Sequence, residues 1–381
     1  MSFGNSSNSS TPQSVEKDVT FSEWLLVFAF IVIMVTGVVG NLLVCYVFGV
    51  KKKLKSTTEW LILYLGVIDL LTSLFNPTLY IFWTLTHYSK WPFGYYGCKI
   101  LPAIGPIMTA ASGGVLLIFG IDRFLAIVTP FYGQLSFKMV TLANTINILL
   151  SIASFVHYIL VLKLSPDGNR CYVSGVQTLE YAVPNCSLIL FRLVAFIVVF
   201  GGTNISIYLT LKRNQHTSTA IDLRLQRHAQ SKRIMRVLVT MGIVFILLVF
   251  PRELFYLIYN LSWVNSSSGI GSSPTILQIN SWLKVMHTAN SCANVFIYAH
   301  MQTLYRKQIL KFLQFMGCCK YGYELQSFST THPSPTTMLL PLGKGYYEWI
   351  VNTTQPKKRT FFQRAQNWKN NNNDNGMVVY M

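Results

Sequence analysis

Seven stretches of the chain are long, apolar and nearly free of charge, with polar segments between them. The third shows the pattern most clearly. Residues 100–121 carry no charge. At about 1.5 Å per residue such a run makes a helix of roughly 33 Å, enough to cross a bilayer core of about 30 Å. Comparable runs predict helices over about 24–50, 58–84, 139–162, 185–212, 231–259 and 276–300. A shorter stretch, 302–316, sets Leu304, Ile309, Leu310, Phe312 and Leu313 among basic residues, the pattern of an amphipathic helix at a membrane surface. The expected fold is an all-α membrane protein, a seven-transmembrane helix bundle with a short amphipathic eighth helix. Its regions are a tail over 1–23, the bundle over 24–300, the amphipathic helix with a cysteine pair over 301–319, and a tail over 320–381. The last is rich in Ser, Thr, Pro and Asn, a composition that predicts disorder.

The polar positions inside these runs carry the chemistry. Asn41 lies in the first span, Asp69 near the middle of the second, Ser112 in the third, and Asn290, Ser291 and Asn294 in the seventh. A lone carboxylate in lipid costs at least about 2.5–3.5 kcal/mol, so Asp69 must face inward and meet donors or a cation. One anionic oxygen and several neutral ones suit a hard monovalent cation. The third span closes on a charged pair, Asp122 and Arg123. Arg192, Arg252, Glu253 and Lys284, with Tyr256, lie toward the other ends of spans five to seven. Intramembrane charges mark ligand sites by default, and three cations against one carboxylate suit a ligand with an acidic group. Asn144 and His157 in the fourth span read as structural, and Pro77 and Pro251 should kink their helices.

Composition agrees with the pattern. The chain is 51% hydrophobic and 12% charged, against about 25% charged in soluble domains. The net charge of +18 does not point to nucleic acid, because most Lys and Arg fall at 51–55, 212–236 and beyond 298. Those segments lie on one side of the bundle, which is the positive-inside bias; it sets the N-terminus outside and brings lipid head groups to the basic runs. The first 20 residues are polar, so the first span is expected to serve as an uncleaved anchor. Asn5, Asn8, Asn185, Asn260 and Asn265 begin glycosylation sequons toward the outside. Asp167-Gly168 signals a hairpin turn, and Cys98, Cys171 and Cys186 lie nearby on the oxidising side. Cys45 and Cys292 sit in spans as packing residues, and Cys318-Cys319 after the amphipathic stretch suits palmitoylation. No metal-ligand cluster or nucleophile–base set emerges, so no enzyme is expected.

Taken together, Gly40-Asn41, Asp69, Cys98, Asp122-Arg123-Phe124, Pro251, Asn294 and Tyr298 resemble the motifs of the rhodopsin-like G-protein-coupled receptors, each in the corresponding span. The chain departs from them where Phe124 replaces a tyrosine, Phe200 and Val295 replace prolines, and Leu248-Val249 replaces a Cys-Trp pair. The resemblance implies a plasma-membrane receptor that relays an extracellular ligand, most simply a peptide, to a heterotrimeric G protein, with arrestin and receptor kinases as further partners. It implies a Cys98–Cys171 disulfide, with Cys186 as the rival partner, and an allosteric sodium ion held by Asp69, Ser112, Asn290, Ser291 and Asn294. Arg123 would pair with Asp122 at rest and meet the G protein on activation, supported by Tyr208 and Tyr298. Ser231 stands where many members carry an acidic lock, which predicts elevated basal signalling. Gly105 and Thr288 stand where amine receptors and opsins carry an aspartate and a lysine, which argues against both. A receptor for a small acidic or lipid mediator is the alternative within the class, and a transporter or channel the alternative outside it.

Overall fold

The computed structural model describes residues 18–51, 56–131, 133–176, 178–215, 223–264, 273–301 and 303–315. Among them the elements run α1 (Phe21–Cys45), a π-helical turn (Tyr46–Lys51), α2 (Thr57–Thr86), α3 (Gly94–Ile127), α4 (Phe137–Ala153), α5 (Val156–Val161), β1 (Leu162–Leu164), β2 (Cys171–Val173), α6 (Leu179–Gln215), α7 (Leu223–Trp263), α8 (Pro274–Met301) and α9 (Thr303–Phe315). Six spans are long and apolar enough to cross a membrane: α1, α2, α3, α4 with α5, α6 and α7. The seventh, α8, is long enough but more polar. It turns His287, Thr288, Asn290, Ser291 and Asn294 into the bundle, where all are buried. Exposed Leu25, Phe28, Ile31 and Val35 on α1, and Phe191, Val194, Ile197 and Val198 on α6, form the outer apolar face that a bilayer would cover.

The helices begin earlier than hydropathy predicts because side chains cap them. Thr20 accepts from the Glu23 amide at 3.4 Å while the Glu23 carboxylate accepts from the Thr20 amide at 2.8 Å, so α1 starts at Phe21 rather than at 24. Ser56 caps α2 through the Glu59 amide. Thr178 caps α6, which starts at Leu179 rather than at 185. The fourth span, expected as one helix, is broken at Ser154–Phe155. There Ser154 turns its hydroxyl back onto the Ser151 carbonyl at 2.8 Å and competes with the backbone ladder.

The hairpin expected around Asp167-Gly168 is present. Leu162 pairs with Val173 and Leu164 with Cys171. In its turn the Asp167 carboxyl is held below the usual carboxylate range by the Ser165 hydroxyl and the Asn169 amide. Cys171 is bonded to Cys98 at the start of α3, with Cα atoms 5.5 Å apart, and Cys186 is a free thiol in α6. The disulfide thus ties the hairpin over one end of the bundle.

Two glycines show why spans approach so closely. A Cβ on Gly40 would meet Val295 Cγ1 at 2.4 Å, so α1 and α8 touch where Val295 stands. A Cβ on Gly105 would lie 1.5 Å from Asn76 Oδ1. The space an amine-binding aspartate would need is therefore already filled by Asn76. Gly105→Val should lower the thermal midpoint of the solubilised protein, as overpacking typically costs about 1–3 kcal/mol; an unchanged midpoint would contradict this packing.

Candidate functional site

Three polar clusters lie along the bundle. The first is at its centre. Asp69 on α2 is 1% exposed. Its Oδ1 accepts from the Ser112 hydroxyl at 3.1 Å and its Oδ2 from the Asn294 amide at 2.8 Å. Ser73 donates to the Ser291 hydroxyl at 2.9 Å, and Asn41 donates to the Ser291 carbonyl at 2.8 Å. Asn290 is buried on the same helix. Spans one, two, three and seven are thereby joined, and the donors to the Asp69 carboxylate are neutral. Among the described residues Asp69 has no cationic partner.

The second cluster lies at the end opposite the disulfide. Arg123 donates from Nε and Nη2 to Asp122 Oδ2 at 3.1 and 2.5 Å. The Thr57 hydroxyl and the Leu135 amide donate to the same carboxylate. Asp122 is fully buried and Arg123 7% exposed. The arginine is held by its chain neighbour, and that neighbour is held by α2 and by the α3–α4 connection. Nearby, Arg233 on α7 donates from Nε and Nη2 to the Met301 carbonyl at 3.1 and 2.6 Å. Met301 ends α8, so the guanidinium caps a helix C-terminus, where a cation is favoured. Tyr305 on α9 is buried and donates to the Gly40 carbonyl at 2.9 Å, which fastens α9 beneath α1.

The third cluster lines a cavity of about 410 Å³ roofed by Cys171, Tyr172 and Val173. Arg192 on α6 donates to Glu253 on α7 at 2.8 Å. His287 Nε2 lies 4.0 Å from the other Glu253 oxygen. Arg252 reaches the Tyr80 hydroxyl at 3.4 Å, and its buried Nε has no partner among the described residues. Lys284 donates to the Tyr88 hydroxyl at 2.8 Å and lies over the Tyr80 and Tyr88 rings. Tyr256 shares a 2.9 Å hydrogen bond with Tyr181. The one carboxylate among the described lining residues is thus taken by Arg192, and Arg252 and Lys284 face the cavity with phenols for company.

Residues 40–298 match the 7 transmembrane receptor (rhodopsin family). The chain belongs to the rhodopsin family of seven-transmembrane receptors. It is 25% identical to the mouse C-C chemokine receptor type 7 over 315 residues, which covers 80% of this chain and 79% of that receptor. The human C-C chemokine receptor type 7 is 25% identical over 340 residues, 85% of this chain and 84% of the relative. A Drosophila melanogaster tachykinin-like peptides receptor 99D is 33% identical over 113 residues, 30% of this chain and 21% of its own length. This rhodopsin-family receptor is thus a multi-pass membrane protein.

The structure joins Asp69 to Ser112 and Asn294, Asp122 to Arg123, and Arg192 to Glu253, while Ser291 bonds Ser73 and Asn41 instead. Phe124 is half-buried beside the charged pair. Tyr298 is fully buried, and its hydroxyl has no partner among the described residues. Tyr208 is 57% exposed on α6. Asn185 and Asn260, expected as loop sequons, lie inside α6 and α7 and are buried, so no glycan fits there. Asn5, Asn8, Asn265, Cys318 and Cys319 fall outside the described residues. Thr57, Arg233, Tyr80, Tyr88, Tyr181 and His287 carry no signal along the chain, because each belongs to its site only through packing between spans.

Proposed function

We propose that the chain is a plasma-membrane receptor, N-terminus outside, that binds an extracellular peptide beneath the hairpin and activates a heterotrimeric G protein at the Arg123 end. The observation that carries the ligand class is the charge of the outer cavity. Glu253 is paired with Arg192, which leaves Arg252 and Lys284 without a salt bridge among the described residues. A carboxylate on the ligand would complete both. The names of the relatives, a chemokine receptor and a tachykinin-like peptides receptor, favour a peptide. In a peptide-library screen with calcium and cyclic-nucleotide readouts, active peptides should carry an acidic side chain or a free C-terminal carboxylate. Arg252→Gln and Lys284→Gln should each raise the half-maximal concentration roughly tenfold or more, as expected for a lost charge-assisted hydrogen bond. Active peptides with no acidic group, or unshifted variants, would contradict the reading.

Resting Arg123 is closed onto Asp122. Activation requires it to leave that carboxylate and meet the G protein once α7 has moved aside, a two-state element that ligand biases. Arrestin and receptor kinases would act on the same end and on the Ser- and Thr-rich tail.

The family implies a sodium ion at Asp69, and the residues fit one. A buried carboxylate with neutral donors and, among the described residues, no cationic partner calls for a counter-charge; Ser112 offers a hydroxyl oxygen on the carboxylate, and Ser291 one on Ser73, a turn along α2. Asp69 would be its anionic holder, with Asn294 and Asn290 alongside, and the ion would supply only charge balance to the resting bundle. Agonist affinity should fall as NaCl replaces choline chloride, and Asp69→Asn should abolish that difference. Equal affinity in both salts would remove the ion from the account.

A further inference from the structure

A second chamber, of about 550 Å³, lies between α3, α4, α6 and α7. That is the size of a small-molecule site, which typically spans about 300–1,000 Å³. Its wall is mainly apolar, with Leu117, Leu188, Phe196, Phe245 and Phe250 prominent. It is continuous with the outer cavity along Pro106, Ser154, Phe155, Leu188, Arg192 and Glu253, which line both. On its other side it is open. Leu150 of α4 and Phe191 of α6 line it, yet they are 64% and 70% exposed. Leu150 lies 13 positions above Phe137, where α4 begins, roughly 20 Å along the helix and so within a hydrocarbon core of about 30 Å. The opening therefore faces acyl chains rather than water. The break at Ser154–Phe155 helps to make it, because Phe155 swings over the Arg192 guanidinium at 4.7 Å and marks the neck.

We propose that this chamber is a binding site for a single-chain fatty acid that enters from the bilayer between α4 and α6. The acyl chain lies along the apolar wall and the carboxylate reaches Arg192 at the neck. Arg192 suits that role. Among the described residues its one hydrogen bond is to Glu253, while a guanidinium carries five N–H donors in a planar fork that matches a carboxylate. An uncharged lipid would fill the chamber without using the arginine. A water-borne peptide would reach the arginine only from the outer cavity. The site stands apart from the peptide reading, because its test needs no agonist and no G protein.

The test uses the full-length receptor in phosphatidylcholine nanodiscs with a palmitic acid that bears a mid-chain diazirine. After illumination, mass spectrometry locates the cross-links. Saturable labelling is expected on α4 and α6 around Leu150 and Phe191. Oleic acid should displace it at a concentration roughly tenfold below that needed for methyl oleate, since only the acid makes the charge-assisted contact. Ala195→Phe, which fills the chamber, should lose the labelling while the thermal midpoint reports folding. Arg192→Gln should keep the labelling but lose the preference for acid over ester, so it decides the matter should Ala195→Phe not fold. Labelling spread evenly around all the spans, equal competition by acid and ester, or labelling unchanged in folded Ala195→Phe would each overturn the proposal.

Discussion

Arg123→Ala should abolish nucleotide exchange on the G protein while ligand binding persists. The side chain lies at the end of α3 opposite the hairpin, a full span from the cavity that holds Arg192, Arg252 and Lys284. Its loss therefore leaves the outer contacts in place. It does strip Asp122 of its cation, and removing one member of a buried pair typically costs about 3–5 kcal/mol. Two things limit that cost here. Thr57 and the Leu135 amide still donate to the carboxylate, and the pair lies at the end of its span, where water is near. Arg123→Gln, which keeps a donor beside Asp122 but no charge, should fold more readily and be equally silent. Radioligand binding measured beside GTPγS loading checks this. Loading at the parent rate by either variant would remove Arg123 from the relay.

Arg233→Ala should do the opposite and raise signalling in the absence of ligand. The missing acidic residue at Ser231 predicts a receptor with no lock between the third and sixth spans. The structure shows a different tether at this seam, from α7 to the last carbonyl of α8. Hydrogen bonds from a charged group contribute about 1.5–3 kcal/mol. If they exist only in the resting arrangement, their loss shifts the resting-to-active ratio roughly 10- to 150-fold. Basal second-messenger output, normalised to receptor at the cell surface, should rise accordingly, and Arg233→Lys, which keeps one donor and the charge, should rise less. Unchanged basal output in Arg233→Ala would mean that the tether does not hold the resting state.

The spans themselves were legible because a bilayer enforces long apolar runs, and the polar residues inside those runs had few places to go. Asp69 could be grouped with Ser112 and Asn294 for that reason: a carboxylate is costly in lipid and is relieved by such neutral donors. The charged pair and the hairpin are readable on similar grounds, and the family resemblance places Cys171 rather than Cys186 opposite Cys98. Rotation about a helix axis was much less legible. Tyr208 and Arg233 are both polar residues near the same end of the bundle, yet one is exposed and the other caps α8. Neighbouring helices set that difference, and no local pattern records it. Sequons misled for the same reason, since Asn185 and Asn260 meet the pattern from within helices that run on past the predicted ends. The capping signals at Thr20-Glu23 and Ser56-Glu59 were present in the sequence, but hydropathy, which weighs only the apolar run, places the starts too late.

The most direct test of the whole account uses purified parts: Arg233→Ala receptor in nanodiscs, a panel of Gα subunits with Gβγ, and GTPγS loading followed without ligand. Loading of at least one Gα should accelerate severalfold over empty nanodiscs and return to the empty-disc rate when Arg123→Ala is added to the same chain. If no Gα in the panel loads faster than with empty discs, or if the double variant loads as fast as the single, the chain does not relay a signal through Arg123.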